Sequence, residues 1–366
     1  MKAVVIEQAE IISPLGNLAE TTHDLIEGAK AIIPGPCFDV PAAYAPFANI
    51  EFRDLHYCTS WMASRIDLSV IDPSATVFIY SAAKGDMRAV EEKVFNGTVT
   101  TRFSPLLDLQ AKTACEILQF NPSRRLVVSN ACASGAVGIE TALELLRTGR
   151  YTHAVIFGFD FLLRFTATGF FSLGALSDTG ARPFDAQRNG LTMGEGAGMA
   201  VLSYRDAYEG DIIVAGAGSS NDANHRTGPS RTGEGLFRAM QACLADASMT
   251  PDLIGAVKCH GTATIFNDAM EAKALYNLFG DSCPPCSSFK GAIGHLSGAS
   301  SLIEILITAE CIKRRTLPPT TGYENHGVDE TVAISSKPQT IVNPTMLCLA
   351  AGFSGLNTAV IIKEHA

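Results

Sequence analysis

Four stretches of this chain carry side chains able to do chemistry on a thioester. Cys132 lies in NACASG, His260 in CHGTAT, Lys290 and His295 in KGAIGH, and glycines bracket Phe353 in GFSGLN. A thiolate is the nucleophile that makes thioesters. Imidazole gives or takes a proton near neutral pH. An ammonium polarises its surroundings, and the backbone N–H groups of a glycine loop bind a developing oxyanion. Together these are the parts of acyl transfer through a thioester. Each alone has a plainer reading. A free cysteine packs like a small apolar residue, a histidine at a strand end makes a structural hydrogen bond, and 352–357 fits an ordinary hairpin turn. Lys290 reads as a surface charge, except that its neighbours are small and uncharged, so the charge needs a partner. Asp268 and Glu271 are the candidate partners.

These residues need elements to hold them. Residues 124–149 read as strand, turn and helix. Leu126, Val127 and Val128 form a short buried strand, and Ser129 and Asn130 break it. Ala136, Ile139, Leu143 and Leu146 recur at helical spacing up to a stop at Gly149. Cys132 then sits at or just before a helix start, whose partial positive charge favours thiolate. A second short strand ends at His260. Thr262 and Thr264 follow it as alternating hydroxyls, and Asp268 and Glu271 open a helix. Residues 347–362 read as two apolar strands around the GFSGLN turn.

Further strands are expected at 2–6, 76–81, 153–160, 200–203 and 212–217, and helices at 18–29, 105–118, 234–247 and 300–311. Residues 30–60 lack periodicity and read as loop with short elements. The alternation of strand and helix restarts after a polar break at 205–210. The division expected is therefore 1–206, carrying the cysteine, and 207–366, carrying His, Lys and His. Six phenylalanines between 157 and 171 read mostly as core, with one or two as the wall of an acyl pocket.

Composition narrows the function. The chain has 366 residues, 47% hydrophobic and 18% charged, with a net charge of −9. That suits a large α/β core and has the wrong sign for a nucleic-acid partner. No run of about 18 apolar residues appears, so no membrane span is expected. Glu7 and Glu10 interrupt any secretory core, and a cytoplasmic location is expected. Ten scattered cysteines, several in apolar runs, read as reduced structural thiols. Cys283 and Cys286 form a CxxC without a second ligand pair, and read as a proline-stiffened loop. No metal site is expected. Residues 181–198 are glycine-rich but match neither nucleotide fingerprint.

The motifs resemble the β-ketoacyl-acyl carrier protein synthases, the elongating condensing enzymes of the thiolase superfamily. The resemblance runs from SPLGN (13–17) through NACASG, ARPFDAQRNGLTMGEGAGM (181–199), CHGTAT and KGAIGH to GFSGLN. It implies an α/β thiolase fold, five αβαβα layers made of two similar halves. It also implies a two-stage condensation in fatty acid, polyene or type II polyketide synthesis. Cys132 would be the nucleophile, and His260 and His295 would stabilise an enolate. Lys290 would be held by Asp268 or Glu271. Phe353 would gate the acyl channel and, with Cys132, supply oxyanion N–H groups. Thr262 and Thr264 would contact the pantetheine arm, and Glu195 would be structural. No cofactor is implied, because substrates ride on the phosphopantetheine of an acyl carrier protein. That acidic partner calls for a basic patch at the site mouth, with Arg65, Arg124, Arg125 and Arg147 as candidates.

The implied assembly is a homodimer or a ketosynthase/chain-length-factor heterodimer. The alternative is a non-catalytic, chain-length-setting subunit of such a heterodimer. A degradative thiolase is disfavoured because Phe353 and Ser354 stand where its second cysteine would lie. Two departures from the family pattern are Ser354, where glycine is common, and Ile265–Phe266, where proline is common.

Overall fold

The computed structural model describes residues 2–97, 106–223, 225 and 227–366. Ten strands form its main sheet. In the first half these are β1 (Lys2–Ile12), β2 (Thr76–Ser81), β3 (Arg124–Val128), β4 (His153–Asp160) and β5 (Gly196–Asp206). In the second they are β6 (Ile212–Asn221), β7 (Ala256–Lys258), β8 (Cys286–Ser287), β9 (Thr345–Ala351) and β10 (Leu356–Glu364). The spatial order is 8-7-9-10-6-1-5-4-2-3. Each half therefore runs 3-2-4-5-1 in its own count. In both, the second strand pairs in parallel with the third and fourth, and the remaining pairs are antiparallel. The halves join where Val4 faces Val214 and Val5 faces Ile213 across β1 and β6.

Six helices complete the layers: α1 (Leu55–Ala63), α2 (Leu107–Ile117), α3 (Ser134–Arg147), α4 (Glu234–Asp246), α5 (Ile265–Phe279) and α6 (Ser300–Lys313). Leu55, Cys58 and Met62 of α1 and Ala111 and Ala114 of α2 pack on Phe78, Tyr80 and Phe157 at one outer face. Leu236 and Met240 of α4 and Met270 and Leu275 of α5 pack on Val257, Leu347 and Ile361 at the other. Between the halves, α3 and α6 share one core with strands of both, including Ile79, Ile156, Met346 and Val360. The layers run αβαβα. Helix α6 is buried almost all round, as a helix in a central layer must be. The two central helices approach so closely that a Cβ on Gly135 would stand 2.3 Å from the Leu302 nitrogen.

Several expectations are corrected. β1 runs to Ile12 rather than Ile6. Its acidic residues find partners: Glu7 accepts from Ser203 and Arg205, and Glu10 from the Ile11 and Leu18 backbone. The strand before Cys132 is not buried. β3 is a sheet edge, and only Val128 of its five residues is buried. Helix α1 forms where a loop was expected, capped by Asp54, whose carboxylate accepts from the Tyr57 N–H. The helix expected from 105 runs over Leu107–Ile117; Pro105 itself lies outside the described residues. Among the described residues no helix is long and apolar enough to cross a membrane.

Candidate active site

Cys132 occupies a one-turn 3₁₀ elbow, Ala131–Ala133, that leads into α3. Ala131 takes φ 50°, in the left-handed region, so the chain doubles back sharply before the helix begins. The Ser134 hydroxyl ties the elbow by donating to the Ala131 carbonyl at 2.6 Å and accepting from the Asn130 N–H at 2.9 Å. The Cys132 side chain is buried. Burial pushes its pKa up to about 11, against the pull of Lys290 and of two N–H groups, those of Phe353 and of Cys132 itself. Burial outweighs the lowering expected from the helix start and favours the protonated thiol at neutral pH.

His260 follows β7. Its backbone N–H donates to Glu271 at 2.6 Å, and the Gly261 N–H donates to the other oxygen at 2.7 Å. Asp268 accepts from the N–H groups of Thr262 (3.1 Å), Ala263 (3.2 Å) and Phe184 (2.7 Å). Burial raises Asp268 to about 6 and Glu271 to about 7. Both carboxyls thus shape the histidine's turn, and neither holds Lys290. The Lys290 partner is Glu304 of α6, at 2.6 Å. The same carboxylate meets Lys258 through its other oxygen, also at 2.6 Å. An acid set inside the apolar run 302–307 was the sequence signal for Glu304.

His295 is clamped by backbone on both sides. Its N–H donates to Thr192 at 2.7 Å, and its carbonyl accepts from Gly194 at 2.9 Å. The glycine-rich segment thus acts as a splint. The Nδ1 of His295 accepts from the Ser297 N–H at 3.1 Å, so its proton sits on Nε2. Burial first, then Lys290, lowers His295 to about 3 and places His260 well below the ordinary imidazole range. Both rings are neutral donors at physiological pH. They meet edge to face with centroids 5.5 Å apart.

Cys132, His260, His295, Thr262, Thr264 and Phe353 all line one cavity of about 360 Å³. Lys290 lies behind it, 1% exposed. The two threonine hydroxyls are 2.9 Å apart. Phe353 stacks obliquely on Phe170 at 5.3 Å, so Phe170 is the member of the phenylalanine cluster that reaches the pocket. Phe157, Phe159 and Phe161 are buried, whereas Phe165 and Phe171 are exposed. Ile265 and Phe266 add exposed apolar surface at the cavity. None of the four arginines offered as a basic mouth lines the cavity. Arg147 pairs with Asp246 at 2.8 Å, Arg65 lies over the Trp61 ring, and Arg124 and Arg125 sit on the β3 edge. Glu195 is wholly buried and braces the first half, accepting from Arg53 Nε, Phe47 N and Leu162 N.

Sequence reasoning missed Asp160 and Ser301, which pack behind the elbow. Ser301 accepts from the Ala136 N–H and donates to the Cys132 carbonyl. Asp222, Asn189 and His225 also line the cavity unannounced. The sulfurs of Cys283 and Cys286 lie 3.7 Å apart as free thiols. Among the described residues no cluster of His, Cys, Asp or Glu is placed to hold a metal.

A strand-ordered, five-layer fold with a thiol elbow at its centre is the thiolase fold of the ketosynthases. A beta-ketoacyl synthase structure from Burkholderia phymatum STM815 matches the whole of both chains, with a TM-score of 0.88 at 25% identity. The ishigamide ketosynthase/chain length factor matches equally fully, with a TM-score of 0.88 at 22% identity. Residues 123–207 match the beta-ketoacyl synthase N-terminal domain, and residues 212–324 match its C-terminal domain. The chain belongs to the beta-ketoacyl synthase family.

Among curated relatives, 3-oxoacyl-(acyl-carrier-protein) synthase 2 of Rhizobium meliloti (strain 1021) is 35% identical over 257 residues, covering 65% of this chain and 60% of the relative. Nodulation protein E of Rhizobium leguminosarum bv. trifolii is 38% identical over 204 residues, covering 54% and 50%. The matches thus span half to three fifths of those relatives' length.

Proposed function

We propose that this protein is a condensing enzyme that joins an acyl group held on Cys132 to a malonyl unit on an acyl carrier protein. In the first stage the Cys132 sulfur attacks the carbonyl carbon of an acyl-carrier thioester. The carrier's C–S bond breaks, and the thiol proton leaves with the carrier sulfur. The N–H groups of Cys132 and Phe353 receive the oxyanion. In the second stage a malonyl thioester loses CO2, and the freed electron pair becomes an enolate hydrogen-bonded by His260 and His295. The enolate carbon bonds to the acyl carbon, the bond to Cys132 breaks, and the departing thiolate takes a proton from solvent to restore the thiol.

The observation that carries this reading is the shared cavity. One thiol and two neutral imidazoles open on it, with the proton of His295 on the outward nitrogen. A neutral imidazole donates to an enolate without surrendering its proton, which suits decarboxylation better than proton transfer. The threonine pair 262/264 lines the approach of a pantetheine arm. The pathway is that of a fatty acid or a polyketide. A second copy or a chain-length-factor partner would dock on the open edge of β3, where Val127 is exposed.

The test is intact mass after incubation with a panel of acyl-carrier thioesters. The expected result is an acyl adduct on the wild type that disappears in Cys132→Ala. His260→Ala and His295→Ala should keep acylation and lose condensation by about a hundredfold or more. Absence of both the adduct and malonyl decarboxylation, alone and with any heterodimer partner, would favour the non-catalytic subunit instead.

A further inference from the structure

Two ammonium groups share one carboxylate behind the candidate site. Lys258, the last residue of β7, donates to Glu304 Oε2 at 2.6 Å and to the Leu349 carbonyl at 2.7 Å. Lys290 donates to Glu304 Oε1 at 2.6 Å, and Ser300 donates to the same oxygen at 3.0 Å. The three charged side chains are at most 1% exposed. A single lysine would neutralise Glu304. The second leaves a surplus positive charge in a dry layer, which a fold selected for stability alone would avoid.

We infer that Lys258 is a positioning residue, which by claiming one oxygen of Glu304 leaves Lys290 incompletely neutralised and an unspent positive charge sealed behind His260 and His295. The inference rests on the condensing reading above and assigns that reading a residue its motifs do not contain.

The groups facing Lys258 can be named from each element around it. Helix α6 contributes Glu304, β9 contributes Cys348 and the Leu349 carbonyl, and α5 contributes Glu271, whose oxygens are spent on the His260 and Gly261 N–H groups. Lys290, Cys259, His260 and His295 complete the set. Burial works against both ammoniums. In Lys258 the combined pull of Glu304, Cys348 and Glu271 exceeds it, whereas in Lys290 it prevails and the like charge of Lys258 adds to it. The same charge helps keep both imidazoles neutral.

This arrangement acts on one step more than the other. When the malonyl carboxylate leaves as CO2, its electron pair passes to the thioester oxygen at the histidines. Negative charge therefore moves toward the ammonium pair, and a fixed charge at the destination favours that transfer. Acylation develops its oxyanion elsewhere, at the Cys132 and Phe353 N–H groups, from an uncharged reacting centre.

The experiment measures the two half-reactions separately in Lys258→Met, Lys258→Gln and Lys258→Arg. Acylation is read by intact mass, and decarboxylation by CO2 release from a malonyl-carrier thioester across pH. Lys258→Met should acylate within about threefold of wild type and decarboxylate at least about tenfold more slowly. The acid limb of its decarboxylation profile should move up by about one pH unit, because losing a nearby cation makes the imidazoles easier to protonate. Lys258→Arg should restore both rate and limb. Lys258→Gln is the second uncharged variant, since its amide can still donate to the Leu349 carbonyl if Lys258→Met fails to fold.

Equal losses in both half-reactions would mean a merely structural lysine and overturn the inference. So would an unmoved acid limb in a folded uncharged variant, or an arginine variant as slow as the methionine one. A wild type that neither acylates nor decarboxylates overturns the condensing reading, and this inference with it. A wild type active in both, with unchanged Lys258 variants, overturns the inference alone.

Discussion

Each half of the molecule enters its central helix through a one-turn elbow, and only one elbow carries a thiol. Residues Ala131–Ala133 lead into α3, and Ser297–Ala299 lead into α6. The first residue of each turn is left-handed, φ 50° at Ala131 and 54° at Ser297. Two positions before each helix stand Cys132 and Gly298. At Gly298 the backbone N–H donates to Asp160 of the other half at 2.9 Å, and a Cβ would stand 2.0 Å from the Ala83 nitrogen. At Cys132 a side chain fits, and the N–H faces the sulfur and the cavity. The fold thus offers two equivalent helix starts. A carboxylate and a close backbone close one, and the other stays available for chemistry.

The comparison is broken most decisively at position 298. Gly298→Ala should cost about 2–4 kcal/mol in a urea or thermal melt, because the blocking atom is backbone and cannot swing aside. A fully stable Gly298→Ala would mean that the second elbow has room after all, and that its lack of a thiol is not steric.

The thiol itself gives the next largest effect. With its pKa raised to about 11, the protonated form dominates at neutral pH and the thiolate fraction climbs with pH. Iodoacetamide labelling of the Cys132 peptide should rise about tenfold per unit between pH 7 and 9. A plateau by pH 8 would show a thiol ionising like an exposed one.

Asp160 links the elbows. It accepts from the N–H groups of Gly298 and Ala83 and pairs with Lys84, and its charge helps push the Cys132 thiol up. Asp160→Asn should therefore cost about 1–3 kcal/mol of stability and at the same time speed Cys132 labelling at fixed pH. Slower labelling in a folded variant would contradict that coupling. The smallest effect tests the likeness of the turns. Ala131→Gly and Ser297→Gly should each stabilise by about 0.5–1 kcal/mol, since glycine takes a positive φ without strain. Opposite signs in the two melts would show that the elbows are not equivalent.

Much of the site was legible because its chemistry is local. NACASG, CHGTAT, KGAIGH and GFSGLN each place a reactive side chain beside small residues, and small residues mark turns whatever the surrounding fold. Strands such as 76–81 were readable as apolar runs. Helix α1 was not, because its buried positions alternate with aromatics that hide the period. β3 reads like a core strand, since nothing in Leu126–Val128 distinguishes an edge from a centre. The lysine partner was misread for a related reason. Asp268 and Glu271 drew the assignment because they open a helix beside His260, yet Glu304 is nearer to Lys290 in sequence, and only packing shows that its carboxylate turns to the ammonium.

The sequence by itself determined which side chains could react and where the chain must turn, because those properties follow from side-chain chemistry and local backbone freedom. Tertiary structure decided which charges they feel. It buried Cys132 until its proton stayed on, set two ammoniums on Glu304, and turned Asp268 and Glu271 toward backbone N–H groups. Burial and electrostatic environment are set by packing between separate elements, as Lys290 and Phe353 act on Cys132 from the other half of the chain, and no local pattern encodes that.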